Sequence, residues 1–297
     1  MISVIMAIYN EPISYIDAAV KSILQQTYEK LELIIVLDNP QRDDVVSYIK
    51  NLTIKDKRIK FIKNKHNMGL AMSLNKGIEQ SRGKYIARMD SDDISKANRL
   101  ENQLSYLIEN NLDLVGCNIQ NIDNSGNIIG KKSNYPKGDK KIKKYIKITS
   151  PIPHPTWLTR ADILKKNKYL DLKASQDYEL LTRLALKNIR FGNVDDALLF
   201  YRINQNGISS QKRALQIFTK HYVRKNYKKK IKTNIDIFNE ELDSDRFNEY
   251  VEYRRQVDSI KNSKTNKAIK IKNYAILLIK SKIAREEIGD LIKIHLI

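Results

Sequence analysis

Two almost wholly apolar runs, Ile2–Ile8 and Leu31–Leu37, restrict the fold of this chain more than any other feature. Runs without strict alternation suit strands that are buried on both faces, as in the parallel sheets of α/β proteins. Between them, Ile16–Gln26 has apolar residues at 16, 19, 20, 23 and 24, which is the helical repeat. Asp43–Leu52 reads as a second helix, Ile59–Lys63 as a third strand, Gly69–Ser81 as a third helix and Tyr85–Met89 as a fourth strand. This alternation predicts a Rossmann-like α/β/α sandwich with a mostly parallel central sheet joined by right-handed crossovers. In such sheets ligands bind beyond the carboxyl ends of the strands. Asn10, Asp38, Asn67 and Asp90 all follow strands at that edge.

The fourth strand ends in Asp90-Ser91-Asp92-Asp93. Clustered carboxylates repel one another unless a positive charge neutralises them. A divalent cation takes oxygen ligands and bridges phosphates as readily as carboxylates, so this strand tip is a candidate metal–phosphate site. The bland alternative is three exposed aspartates in a turn. Arg88 lies between apolar residues of the same strand, where an unpaired guanidinium is costly. It must face a carboxylate, as a structural ion pair, or a phosphate of a bound donor.

Charge adds a second constraint. The 297 residues carry 54 Lys/Arg against 34 Asp/Glu, a net charge of +20. Such a chain attracts polyanions, whether phosphorylated substrates, an anionic membrane surface or nucleic acid, with nucleic acid the least expected. Residues 212–297 hold 21 Lys/Arg and 11 Asp/Glu, half of the excess, in a polar, helical pattern. That region suits either interfacial membrane contact or an ordinary helical cap. Lys131–Lys147 has eight lysines and one aspartate. It reads as a mobile loop, or a loop and short helix, either solvated or acting as a flap over an anionic ligand. A single cysteine, Cys117, excludes an intrachain disulfide or a cysteine-rich zinc site and reads as a small buried strand residue. No window approaches the roughly 18–20 apolar residues that span a bilayer. The opening segment is too short and uncharged for a signal peptide, so the expected location is cytoplasmic, with peripheral attachment to the inner membrane face as an option.

The order of motifs resembles the inverting GT-A-fold glycosyltransferases of family 2, bacterial surface-polysaccharide type, over roughly residues 1–210, leaving 211–297 as a basic helical extension. The resemblance rests on Ser3–Glu11, on Gln25-Gln26-Thr27-Tyr28 before Glu32–Val36, on Asn67-Met68-Gly69-Leu70-Ala71 with Asn75-Lys76-Gly77, on Asp90–Asp93, and on Gln176-Asp177-Tyr178-Glu179-Leu180. It implies donor-nucleotide contacts from Ala7, Tyr9, Glu11, Asp38, Asn67, Gly69, Arg88 and Asp90. It makes Asp92 the main ligand of Mn²⁺ or Mg²⁺, with Asp90 on metal or ribose. Asp93 contributes there or caps a helix beginning near Ser95. Asp38 is placed to accept the imide hydrogen of uracil, or else to cap a turn. Asn67 and Gly69 either meet the nucleotide or only shape a helix start. Asp177 is the implied general base, a role compatible with capping its helix.

His154, within Pro151–Trp157, faces acceptor or diphosphate, or is a structural histidine. Trp157 stacks on an acceptor sugar or fills the core. Arg202, in Tyr201-Arg202-Ile203-Asn204, clamps the diphosphate. The chain departs from the family pattern at Leu37 and Gln176, where acidic residues are usual, and at Asn204, where relatives carry a histidine. The implied function is metal-dependent, inverting transfer of a sugar from a nucleotide-sugar, UDP-linked in the favoured reading, to a saccharide acceptor. A lipid-diphosphate carrier would suit the basic chain, in capsule or O-antigen synthesis. Two rivals are a nucleotide-sugar nucleotidyltransferase, whose glycine-rich loop after the first strand is lacking, and a non-catalytic polyanion-binding protein.

Overall fold

A computed structural model describes residues 1–203, 213–263 and 265–295. Its centre is an eight-stranded sheet: β1 (Ile2–Ile8), β2 (Leu31–Leu37), β3 (Ile59–Lys63), β4 (Tyr85–Asp90), β5 (Ile94–Ser95), β6 (Leu114–Ile122), β7 (Leu158–Arg160) and β8 (Phe191–Arg202). The spatial order is β3-β2-β1-β4-β7-β6-β8-β5. Strands β3, β2, β1 and β4 run parallel, as do β6 and β8, whereas β7 is antiparallel to both of its neighbours and β5 to β8. Helices α1 (Ile13–Leu24), α2 (Asp43–Lys55), α3 (Leu70–Glu79) and α4 (Arg99–Glu109) connect the first strands. Further on come α5 (Asp139–Ile146), α6 (Ala161–Lys166) and α7 (Gln176–Ala185).

The lack of alternation in β1 has the physical origin expected of it. Ile2, Val4, Met6 and Ile8 join a buried cluster with Ile16, Val20 and Ile23 of α1, while Ile5 joins another with Ala71, Leu74 and Ile78 of α3. Both faces of the strand are therefore core. The two polar residues in these runs satisfy each other. Ser3 pairs in register with Glu32 and donates to its Oε1 at 2.6 Å, and Arg82 Nε donates to Glu32 Oε2 at 3.0 Å. Helix α3 lies so close to the sheet that a Cβ on Gly77 would stand 2.5 Å from Ile5 Cγ2.

One expectation for local structure changes. No helix begins near Ser95: Ile94 and Ser95 pair with Phe200 and Leu199 as β5, and α4 starts at Arg99. The lysine-rich segment follows its loop-and-short-helix reading, with most of its lysines exposed, but α5 is anchored. Ile142 and Ile146 of α5 are fully buried, and Asp139 Oδ1 accepts from the Phe191 N–H at 3.0 Å, so the helix is fastened to β8.

The C-terminal region contains α8 (Arg213–Lys228), α9 (Ile235–Leu242), α10 (Asp245–Asn262), α11 (Lys267–Lys280) and α12 (Lys282–His295). Phe218 is its hub, with the rings of Phe238, Phe247 and Tyr250 at 5.2–5.8 Å. Ile217, Phe218 and Tyr222 of α8 belong to the same buried cluster as Leu180, Leu181 and Leu184 of α7. The helices thus extend the sheet's core instead of forming a separate one.

Candidate active site

Strands β1, β2 and β4 deliver the site residues to one rim, because their parallel register aligns the carboxyl ends. Ala7 stands opposite Asp90 in the β1–β4 ladder. Beyond β1, Tyr9 is exposed and its N–H donates to Glu11 Oε2 at 2.8 Å. Beyond β2, Asp38 is buried and fully engaged. Its Oδ1 accepts from Asn64 Nδ2 and the Met68 N–H, both at 2.8 Å, and its Oδ2 from the Gly69 N–H at 2.8 Å. Asn67 Oδ1 also accepts from the Gly69 N–H, at 2.9 Å. Gly69 opens α3 with φ of +82°, a conformation that a side chain would strain. Asp38 is therefore the tie that shapes the Asn67–Gly69 loop. Asn64, which sequence reasoning missed, completes it by accepting from Lys76 Nζ at 2.8 Å. No periodicity or charge marks that asparagine in the chain.

Asp90, Asp92 and Asp93 each bring a carboxylate oxygen within 4.8 Å of the others. Asp90 is ion-paired with Arg88. Asp93 does not cap a helix: it is fully buried, its Oδ1 accepting from the Arg202 N–H at 2.9 Å and its Oδ2 having no hydrogen-bond partner. Burial, then the charges of Asp90 and Glu11, pushes the Asp92 carboxyl up to about 7. Burial, then the charges of Asp90 and Asp92, raise Asp93 well above the usual carboxylate range. This is negative charge without adequate compensation, and the all-oxygen donor set with an orphaned buried oxygen fits a hard divalent cation.

Arg88 is 5% exposed, and its Nε and Nη1 have no partner. Asp177 is the second residue of α7 and partly exposed; Ser175, in the left-handed region at φ 52°, precedes the helix and makes no side-chain cap. Burial raises the Asp177 carboxyl, Arg88 opposes the shift, and the charge on Asp90 adds to it. The same Arg88, Asp90 and Asp177 charges act on the buried Tyr169 hydroxyl, so the fold gathers these groups into one electrostatic neighbourhood. Tyr169 was not singled out in the sequence. Its backbone is held on both sides by Asn75, at 2.9 and 2.8 Å.

His154 is buried, with Nε2 2.7 Å from the Tyr169 hydroxyl. Burial and the nearby Arg88 hold its pKa well below the usual imidazole range, so the ring is neutral. Trp157 is 1% exposed and donates from Nε1 to the Ile152 carbonyl at 3.2 Å. The expectation that it stacks on an acceptor sugar falls: the ring is a core element beside His154. Arg202 is also corrected. Its Nε donates to the Asp92 carbonyl at 2.9 Å and its Nη1 to the Asp123 and Asn124 carbonyls at 2.7 and 2.9 Å. The guanidinium lies 4.1 Å over the Tyr15 ring. It braces the Asp90–Asp93 turn from beneath instead of reaching for a diphosphate. Asn204 lies outside the described residues.

Residues 3–167 match the family model described as glycosyl transferase family 2. The chain belongs to that family. It is 36% identical over 239 residues to an O-antigen biosynthesis glycosyltransferase, WbnJ, of Escherichia coli, covering 79% of this chain and 92% of WbnJ. Among solved structures, S. aureus TarS 1–349 in complex with UDP-GlcNAc superposes with a TM-score of 0.60 at 18% identity, over 93% of this chain and 71% of TarS. The mannosyltransferase PcManGT of Pyrobaculum calidifontis, in complex with GDP-Man and Mn²⁺, gives 0.61 at 14% identity, over 98% and 86%. This family 2 glycosyltransferase thus has the GT-A fold, with a helical C-terminal region.

Proposed function

We propose that the enzyme is an inverting, metal-dependent transferase that moves a sugar from a nucleotide-sugar to a hydroxyl of a saccharide acceptor. The observation that carries this reading is the meeting of Asp90, Asp92 and Asp177 in one electrostatic neighbourhood around Arg88 and Tyr169. Asp92, with Asp90, would hold Mn²⁺ or Mg²⁺. When bound, such an ion stabilises negative charge on the departing diphosphate. Asp177 accepts the proton of the acceptor hydroxyl as that oxygen attacks the anomeric carbon. The nucleoside diphosphate leaves from the opposite face and the configuration inverts. Burial makes the Asp177 carboxylate a stronger base than a solvated one. The two unpartnered nitrogens of Arg88 suit the oxygens of a bound donor, and Ala7, Tyr9 and Glu11 border the same rim.

The Asp38-braced loop with Asn67 and Gly69 would flank the nucleotide base. A uridine nucleotide is the favoured donor; TarS was solved with UDP-GlcNAc and PcManGT with GDP-Man, so either class has a precedent on this fold. The likeness to WbnJ supports a place in surface-polysaccharide assembly. In this reading the acceptor is carried by a lipid diphosphate at the inner face of the membrane, which the net charge of +20 would suit.

The test is a panel of UDP-, GDP- and dTDP-sugars, each with Mn²⁺ or with EDTA, scored for donor binding and slow hydrolysis. Mn²⁺-dependent binding of one nucleotide class is expected. Donor turnover that is indifferent to EDTA would remove the metal from the reading.

A further inference from the structure

Three C-terminal helices, α8, α10 and α12, enclose a cleft of about 720 Å³. Arg224, Lys225 and Lys228 line it from α8, Arg246 from α10, and Lys282 and Arg285 from α12. None of these residues belongs to the Asp90–Asp177 site. The only lining carboxylate among the described residues is Glu286, 3.4 Å from His221 Nδ1. Burial, then the positive charges of Arg224, Lys220, Arg246 and Lys228, holds His221 down to about 3, so that ring is neutral and adds no cation. Burial and Arg224 likewise lower Lys220 to about 8. Arg246 is ion-paired with Glu241, and Arg285 Nη1 donates to the Leu278 and Ile279 carbonyls. The lining still sets seven Lys/Arg side chains against one carboxylate, a convergence that suits a ligand with several anionic oxygens.

The surroundings of the cleft favour an amphiphile over a free phosphate. Ile288 and Ile292 follow Arg285 by three and seven residues, which puts them on the flank of the same helix face, and they are 39% and 55% exposed. Ile279, just before Lys282, is 77% exposed. A soluble anion has no use for an apolar rim, whereas a lipid needs both parts. No helix among the described residues is long and apolar enough to cross a membrane, so contact would be interfacial.

We propose that this cleft takes the phosphate-bearing headgroup of an anionic lipid at a bilayer surface, with Ile279, Ile288 and Ile292 entering the acyl boundary. The cleft gives the membrane attachment suggested above a definite place, yet it does not depend on the transfer chemistry. Its test therefore reads no activity. The full chain is sedimented with vesicles of phosphatidylcholine alone or of equal parts phosphatidylcholine and phosphatidylglycerol. Lys225→Glu/Lys228→Glu/Lys282→Glu is compared with Lys50→Glu/Lys55→Glu/Lys57→Glu, which reverses as many exposed charges around α2, beside the sheet-edge strand β3.

The expected result is strong preference for the anionic vesicles. The cleft variant should lose roughly tenfold or more in partitioning and the α2 variant roughly threefold at most. Ile279→Asn/Ile292→Asn, which keeps every charge, should also weaken binding. Should the triple variant misfold by circular dichroism, Lys225→Gln/Lys282→Gln replaces it with the same expectation. Equal loss in the cleft and α2 variants would overturn the proposal, because the general charge would then suffice. So would binding of inorganic diphosphate, or of a single-stranded RNA, that the cleft variant loses while no form binds vesicles.

Discussion

At the residue scale, the chemistry depends on carboxylates whose environments differ over short distances. Asp38 is satisfied by three donors, Asp90 by Arg88, and Asp93 by one backbone N–H on one side only. Asp92, raised from 3.8 to about 7, holds a proton in the folded, metal-free state that the unfolded chain releases. Its contribution to stability is therefore present below about pH 4 and lost as pH rises through about 7. Melting curves of the metal-free protein should show a drop in Tm between about pH 4 and 7 that is smaller in Asp92→Asn, and Mn²⁺ should flatten the wild-type profile. An identical pH dependence in both proteins would remove the assignment. Asp177→Asn removes the proposed proton acceptor without altering the donor side. Transfer should fall by about 10²–10⁴-fold, with donor affinity by calorimetry nearly unchanged. Substantial transfer by that variant would mean that another group takes the proton.

At the element scale, the rim is set by how helices and loops are pinned to the sheet. Asp38→Ala leaves the Met68 N–H without its acceptor and takes one of two acceptors from the Gly69 N–H and the Asn64 amide. A loss of about 1–3 kcal/mol in denaturant unfolding is expected, together with a weaker donor KM as the loop relaxes. Unchanged stability would show that water replaces the carboxylate freely. The seat of α3 is tested by Gly77→Val, because even a Cβ there lies 2.5 Å from Ile5 Cγ2. Overpacking should cost about 1–3 kcal/mol or more. The long apolar runs made β1 and β2 legible, and the alternation of strand-like and helix-like segments did the same for β3 and β4. Strand β5 was not, since two residues carry no periodicity and exist as a strand only through Phe200 and Leu199. The anchoring of α5 was hidden for a related reason. Its lysines are conspicuous, but Ile142 and Ile146 decide its position, and their partners are distant in sequence.

At the scale of the whole molecule, the helical region and the sheet share a hydrophobic cluster that runs from Ile5 and Leu180 to Phe218 and Leu277. Removing residues 212–297 would therefore strip the outer face of α7, and point substitutions are the sound way to probe the region. Phe218→Ala should cost about 3–5 kcal/mol and shift one cooperative transition, seen alike by tryptophan fluorescence and far-ultraviolet circular dichroism. Trp157, the single tryptophan, lies in that cluster with Phe218. Two separate transitions would mean that the helices unfold independently.

By itself the sequence determined the alternation of strands and helices, the family, and the acidic strand tip, because periodicity and local charge are written in adjacent residues. It also singled out Asp177 as the candidate base, through its place in an ordered set of motifs. Tertiary structure alone decided what surrounds each group. It took Trp157 into the core, turned Arg202 from an expected ligand clamp into a brace for the Asp92 carbonyl, and put Tyr169 between His154 and the charges of Arg88, Asp90 and Asp177. Burial and long-range hydrogen bonding set those roles. Both depend on partners tens of residues away that no local pattern announces.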